Sequence, residues 1–202
     1  MESIDFVSLI PFVFITTFTP GPNNIACTSM AINFGLKRSM GFLYGIFFGF
    51  VSVLLLAGFF SNILLKTIPD LEPIMRWIGA AYILYLAYNI LKADYSFQQN
   101  NQQVQPFSFS HGFLLQFLNP KGIIYALTLY SAFLYSIIDI PRYIVLFAFI
   151  LASTGFLSLL LWALFGTLIS RFLYQDKLRK TVNLLLAVLL AYTAVKLTGI
   201  IF

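Results

Sequence analysis

An all-α integral membrane protein is the fold class that this sequence predicts, with six transmembrane helices arranged as two inverted repeats of three. Three observations carry that expectation. The 202-residue chain is 60% hydrophobic and only 9% charged, far from the composition of a soluble domain. Its apolar residues fall in runs near the roughly 20 residues that a bilayer-crossing helix needs. The first and fourth runs, about 100 residues apart in register, are each interrupted by a proline-containing motif.

The spans read as residues 6–33, 41–65, 74–91, 112–135, 143–170 and 181–202. They leave too little chain for a soluble domain, so residues 1–202 are expected to form one transmembrane transporter domain. Its first repeat covers about 1–92, a linker about 93–111, and the second repeat about 112–202. The linker holds the polar, low-complexity run from Gln98 to Pro106, which cannot bury a core. Duplication is also visible in side chains. Leu86-Ala87-Tyr88 precedes Lys92, and Leu190-Ala191-Tyr192 precedes Lys196, at an offset of 104 residues. Three spans per half force the halves into opposite orientations, as in many secondary transporters.

The net charge of +5 is spread between the spans rather than gathered into a nucleic-acid footprint. Lys37, Arg38, Lys92, Arg171, Lys177, Arg179 and Lys180 fall on one side of a six-span chain. Lys66, Arg76, Arg142 and Lys196 fall on the other. The excess of basic residues assigns the first group to the cytoplasm, with both termini outside. Glu2 and Asp5 precede the first span with no basic residue, so that span is read as retained rather than as a cleaved signal. Cys27 is the single cysteine, which excludes an intramolecular disulfide, a dithiol redox pair and a cysteine-rich metal site. It reads as a small packing residue. His111 is the single histidine and reads as an interfacial residue. Neither a cofactor nor a metal is expected.

The first break is Thr19-Pro20-Gly21-Pro22-Asn23-Asn24. Two prolines remove backbone donors and bias the residues before them away from helix. Gly21 adopts dihedrals closed to other residues. A helix restarts readily with Pro22 in its first turn. Asn23 and Asn24 then lie at a helix N-terminus, where orphan amides and the dipole favour an anion. Irregular backbone at membrane depth persists only when it is buried in protein or lines a wet cavity. The expected consequence is a binding site.

Asn119-Pro120-Lys121 is the counterpart in the second half. Lys121 is the only charged residue deep inside a predicted span, since Arg76 and Lys196 lie toward span ends. If span four begins near Gly112, Lys121 lies about 13 Å into the bilayer at the helical rise. If it begins near Phe117, the side chain snorkels to the interface. An ionisable group in hydrocarbon needs a partner or water. No Asp or Glu lies inside a predicted span, which disfavours a divalent-metal pathway of hard oxygen ligands. The site chemistry is cationic and amide-rich, suited to a small solute bearing a carboxylate. Tyr44, Tyr82, Tyr125 and Tyr130 fit a path lining or an interfacial belt equally, and none is assigned.

Gly41, Gly45 and Gly49 stand four residues apart in span two and form one smooth helix face for close packing. Ala148, Ala152 and Gly155 give span five a looser version.

At these residues the chain resembles the LysE/RhtB-type amino-acid exporters. The likeness rests on Thr19-Pro20-Gly21-Pro22-Asn23 and Asn119-Pro120-Lys121, and the glycine-spaced second span, six-span length and polar mid-chain loop agree with it. It covers essentially the whole chain. The resemblance implies export of amino acids or related metabolites across the bacterial inner membrane, driven by the proton gradient. Family members commonly carry an acidic residue in or near the spans, and this chain departs from that pattern. The implied partners are a small amino-acid substrate and membrane lipids, with no nucleic acid. A homodimer is compatible with the glycine face. Export of a metal or other inorganic ion is the alternative function, followed by a membrane-embedded enzyme or a structural scaffold.

Overall fold

The computed structural model describes residues 4–99, 106–170 and 176–198, and all of its regular elements are helical. Helix α1 is Phe6–Phe18, and the Asp5 carboxylate caps it by accepting the amides of Val7 and Ser8 at 3.1 and 3.3 Å. Helix α2, Pro22–Gln99, bends at Gly35 (φ 76°, ψ 161°) and Phe60 (φ −116°, ψ 18°). The fourth apolar run is built from short pieces. These are α3 (Phe109–Phe117), α4 (Pro120–Thr128), a π-turn (Leu129–Phe133) and a 3-10 turn (Tyr135–Ile137). Helices α5 (Pro141–Ser170) and α6 (Asp176–Thr198) complete the bundle.

Sequence composition puts connections at residues 34–40 and 66–73. The structure makes the first with Gly35 alone, in the left-handed region that only glycine enters cheaply. The chain folds back there, because Ala26, Cys27, Met30 and Ala31 before the bend share a buried cluster with Phe42, Leu43 and Ile46 after it. Residues 66–73 stay helical, and the bend falls at Phe60 instead. A helical connection keeps most backbone donors and acceptors paired within the chain, although Pro69 and Pro73 supply no donor. Helix continues to Gln99, and residues 100–105 of the polar linker lie outside the described residues.

Two described helices are long and apolar enough to cross a membrane, Pro22–Phe60 and Pro141–Leu168, with mean hydropathies of 2.3 and 2.5. Helix α5 is apolar on both its inner and its outer face. Its buried positions include Ala148, Ala152 and Ala163, whereas Leu146, Phe149, Ile150, Leu157, Leu161 and Phe165 point outward. Ile144, Leu151 and Leu159 are buried beside those alanines, and an apolar outer face over an inner face carrying small residues suits a helix that packs closely on its neighbours and faces lipid.

The core has three parts. One gathers α1, α2, the π-turn and α5 around Tyr130, which is fully buried and donates its hydroxyl to the Ile144 carbonyl at 3.3 Å. The second surrounds the Gly35 hairpin and contains Cys27, whose role is packing. The third joins Ile25, Ala80, Ile83 and Ala87 to Ala187, Leu190 and Ala194 of α6. Residues of the two Leu-Ala-Tyr segments, Ala87 in one and Leu190 and Ala194 in the other, thus meet in one cluster. Near Gly35, Asn33 and Asn183 exchange amide hydrogen bonds in both directions, at 3.1 and 2.9 Å, tying the end of the first hairpin arm to α6.

The glycine face has a defined partner, helix α3. A Cβ on Gly45 would collide with the Phe109 carbonyl, and one on Gly49 would lie 2.7 Å from the Phe113 carbonyl. Gly112 of α3 answers from the other side, where a Cβ would collide with the Phe42 carbonyl. Gly41 lies at the edge, with the Phe109 amide nitrogen 4.0 Å from its would-be Cβ. Replacing Gly45, Gly49 or Gly112 with Ala is therefore expected to push the helices apart and cost about 1–3 kcal/mol. Gly41→Ala is expected to be nearly neutral. Thermal unfolding of the purified variants in detergent checks the contrast, and equal effects at Gly41 and Gly45 would contradict this packing.

Candidate functional site

The two breaks expected from sequence meet in the bundle. Helix α1 stops at Phe18 and α2 starts at Pro22, so Thr19, Pro20 and Gly21 are non-helical. Helix α3 stops at Phe117 and α4 starts at Pro120, with Leu118 and Asn119 between them. Both restarts put proline at the first helical position, where its missing donor costs nothing.

The non-helical stretch Thr19–Gly21 ends the amide ladder of α1, and side chains take up carbonyls at its end. The Asn24 amide donates to the carbonyls of Thr17 and Thr19 at 3.3 and 3.1 Å. Ser158 of α5, fully buried, donates to the same Thr17 carbonyl at 3.1 Å. The Thr19 hydroxyl turns back onto the Ile15 carbonyl. In the second break, Asn119 caps α4 by accepting the Lys121 amide at 3.1 Å. Its side-chain nitrogen donates to Asn23 Oδ1, also at 3.1 Å. That bond links the breaks directly across 96 residues of sequence.

Lys121 is half-buried and reaches across the junction. Its Nζ donates to the Thr19 carbonyl at 3.2 Å, so the ammonium sits at the negative C-terminal end of α1. Gly21 clears its path, since a Cβ there would lie 3.2 Å from Nζ. The sequence requires a partner or water for this residue without naming one. The structure gives it a specific carbonyl partner from the opposite break.

A cavity of about 70 Å³ opens at this junction. That exceeds the space of a single water several-fold. Gly21, Pro22, Asn23, Asn24, Asn119 and Lys121 all border it, whereas Thr19, Pro20 and Pro120 frame it without lining it. Phe47, Phe50 and Phe156 form an aromatic wall. Of the lining residues, Lys121 alone carries a formal charge. Among the described residues no three His, Cys, Asp or Glu side chains come together as metal ligands.

Several lining residues were not assigned from sequence, among them Thr17, Tyr125 and Gln116. The Thr17 carbonyl, which gathers the Asn24 amide and the Ser158 hydroxyl, is a backbone group that side-chain pattern cannot announce. Tyr125 borders the cavity, while Tyr44 is exposed and stacks on Phe156 at 5.4 Å, and Tyr82 lies outside the described side chains. Gln116 is the third, and a glutamine in an apolar run three residues before Asn119 was the signal available for it. His111 serves as the reciprocal partner of Ser108 in a capping box at the start of α3, with Ser108 Oγ 2.8 Å from its Nδ1.

Removing Asn119 should open the junction. Asn119→Ala loses both the α4 cap and the bond to Asn23, and is expected to cost about 1–2 kcal/mol. Asn119→Ser keeps a capping oxygen without the reach to Asn23, so it should fall between wild type and Ala. Unfolding midpoints in detergent test the order, and equal stability of all three proteins would count against the inter-break bond.

The profile of the LysE type translocator family matches residues 14–199. The chain is 35% identical over 192 residues to a cysteine/O-acetylserine efflux protein of Klebsiella pneumoniae, covering 94% of this chain and 95% of that one. It is 36% identical over 186 residues to the cysteine/O-acetylserine efflux proteins of Escherichia coli K12 and Shigella flexneri, covering 92% of this chain and 93% of theirs. No solved structure matches it.

Proposed function

Because the chain belongs to the LysE type translocator family, we propose that it is a secondary exporter of small amino acids and related carboxylate-bearing metabolites, with cysteine-like and O-acetylserine-like solutes as first candidates. The observation that carries the reading is the Lys121 ammonium, held across the two helix breaks beside a cavity with no other formal charge. A substrate carboxylate entering that cavity would meet Lys121 together with the positive N-terminal end of α2. A substrate ammonium would meet the carbonyl-rich end of α1. Zwitterion recognition by opposed half-helix ends is the logic of transporters with broken helices.

The architecture that goes with this function is a pair of inverted three-helix repeats in a bacterial inner membrane, with both termini outside. The direct Asn23–Asn119 contact and the shared cluster of the Leu-Ala-Tyr segments support the pairing of halves. The outward apolar face of α5 supports lipid contact. Proton coupling is part of the proposal, with Lys121 carrying either the substrate carboxylate or the coupled proton.

Efflux from vesicles loaded with a panel of amino acids tests the function. Wild type is expected to release small neutral amino acids, and collapse of the proton gradient is expected to slow that release. Lys121→Met keeps the stem and removes the charge. Loss of a charge-assisted contact worth about 1.5–3 kcal/mol corresponds to roughly a 10- to 100-fold fall in transport. Folding should persist, because a half-buried charge is removed rather than left unpaired. Lys121→Arg should also be impaired, as a planar guanidinium does not replace a compact ammonium. Normal efflux by the Met variant, with an unchanged pH profile, would leave Lys121 as an anchor only.

A further inference from the structure

Gln116 is the most anomalous polar side chain among the described residues. It is 1% exposed, and neither its amide nitrogen nor its amide oxygen has a hydrogen-bond partner in the protein. A buried amide left unpaired costs on the order of 1–3 kcal/mol. Every other buried amide at the junction is paired. Asn24 meets two carbonyls, and Asn119 meets Asn23 and the Lys121 amide. Gln116 borders the same cavity. Tyr125 borders it too, with a buried hydroxyl near the Thr17 side chain that does not reach hydrogen-bond geometry. The unspent hydrogen-bonding capacity of the site is thus concentrated in one neutral amide and one neutral phenol.

The position of Gln116 is set rather than incidental. It lies in the last turn of α3, the helix seated against the glycine face. A Cβ on Gly49 would lie 3.0 Å from its Cγ and 3.1 Å from its Cβ, so Gly49 provides the slot for its stem. A Cβ on Gly122 would lie 3.2 Å from its Oε1, so Gly122 provides the space in which its head ends. Two glycines on two different helices make room for a side chain that the protein itself does not bond.

We propose that Gln116, with Tyr125, reads the side chain of the transported amino acid and selects solutes with a neutral hydrogen-bonding group a few atoms beyond Cα, such as an ester carbonyl, a hydroxyl or a thiol. This rests on the exporter reading above, which concerns the α-carboxylate and α-ammonium, and adds which side chains are accepted. An amide and a phenol each donate and accept, so they satisfy an ester, a hydroxyl or a thiol without a counter-charge. A second cation on the substrate would find no carboxylate among the lining residues, so lysine and arginine are disfavoured. A purely apolar side chain would leave both groups unpaired. Sites built to hydrogen-bond a substrate group discriminate strongly against analogues that lack it.

The test uses the full chain in proteoliposomes with two matched probes, O-acetyl-L-serine and L-norleucine, of similar length with and without the ester. Wild type is expected to have the lower KM for O-acetyl-L-serine. Gln116→Met keeps the length and removes both polar atoms. It should raise the KM for O-acetyl-L-serine about tenfold and leave norleucine little changed. Tyr125→Phe should shift the same ratio in the same direction by less. The melting temperature of the Met variant should stay level or rise, since no protein partner is lost. Gln116→Glu supplies the missing counter-charge, and efflux of L-lysine should increase. Efflux by wild type with an unchanged KM ratio in Gln116→Met, or with no gain of lysine efflux in Gln116→Glu, would overturn the selectivity role and leave Gln116 hydrated by trapped water. Absence of efflux of any amino acid by well-folded wild type would overturn the exporter reading itself, and this inference with it.

Discussion

Backbone groups in a hydrocarbon environment have no water to fall back on, and each proline in a membrane helix removes a donor that some other group must replace. Around the first break, side chains take up carbonyls that the interrupted helix leaves without amide partners. Asn24 and Ser158 serve Thr17, while Asn24 and Lys121 serve Thr19. The donors come from α2, α4 and α5, so satisfying one interrupted helix draws three others to a single point. The cavity is what remains where those groups converge and no side chain fills the middle.

The glycine face and the junction are parts of one construction. Helix α3 approaches α2 closely enough for carbonyl oxygens to rest on Gly45 and Gly49, and that approach brings the end of α3 over the breaks. Asn119 then follows α3 directly and starts α4, so the cap, the contact with Asn23 and the direction of Lys121 all inherit the placement of α3. A glycine stripe that would serve packing alone in a structural helix here also positions the polar groups of the cavity.

How much of this was legible beforehand varied with the range of the cause. The breaks at Pro20–Pro22 and Pro120 were readable because loss of a backbone donor is a local property of one residue. The smooth face of Gly41, Gly45 and Gly49 was readable as periodicity, but not its partner, since helical spacing does not say which helix arrives or that Gly41 would lie at the rim. The connection over residues 34–40 was readable from Lys37, Arg38 and Ser39, but not that Gly35 alone would make the bend while those polar residues stay helical. Helix through residues 66–73 overrode two prolines, Pro69 and Pro73, and two acids that read locally as a loop. Gln116 could be seen as polar within an apolar run. Its missing partners could not be seen, because they depend on the rotation of α3 and on empty space beside Gly49 and Gly122.

The seating of α3 on α2 is made largely by main chain against main chain, with carbonyls of Phe109, Phe113 and Phe42 resting where side chains would otherwise stand. A contact between long side chains must freeze several rotors, a loss that grows in weight as temperature rises. Glycine has no rotor to freeze, and its backbone is already committed to the helix by hydrogen bonding. The seam therefore adds almost no side-chain disorder of its own to the position of the last turn of α3. The placement of the last turn of α3 beside the cavity accordingly depends little on side-chain rotamers at this seam.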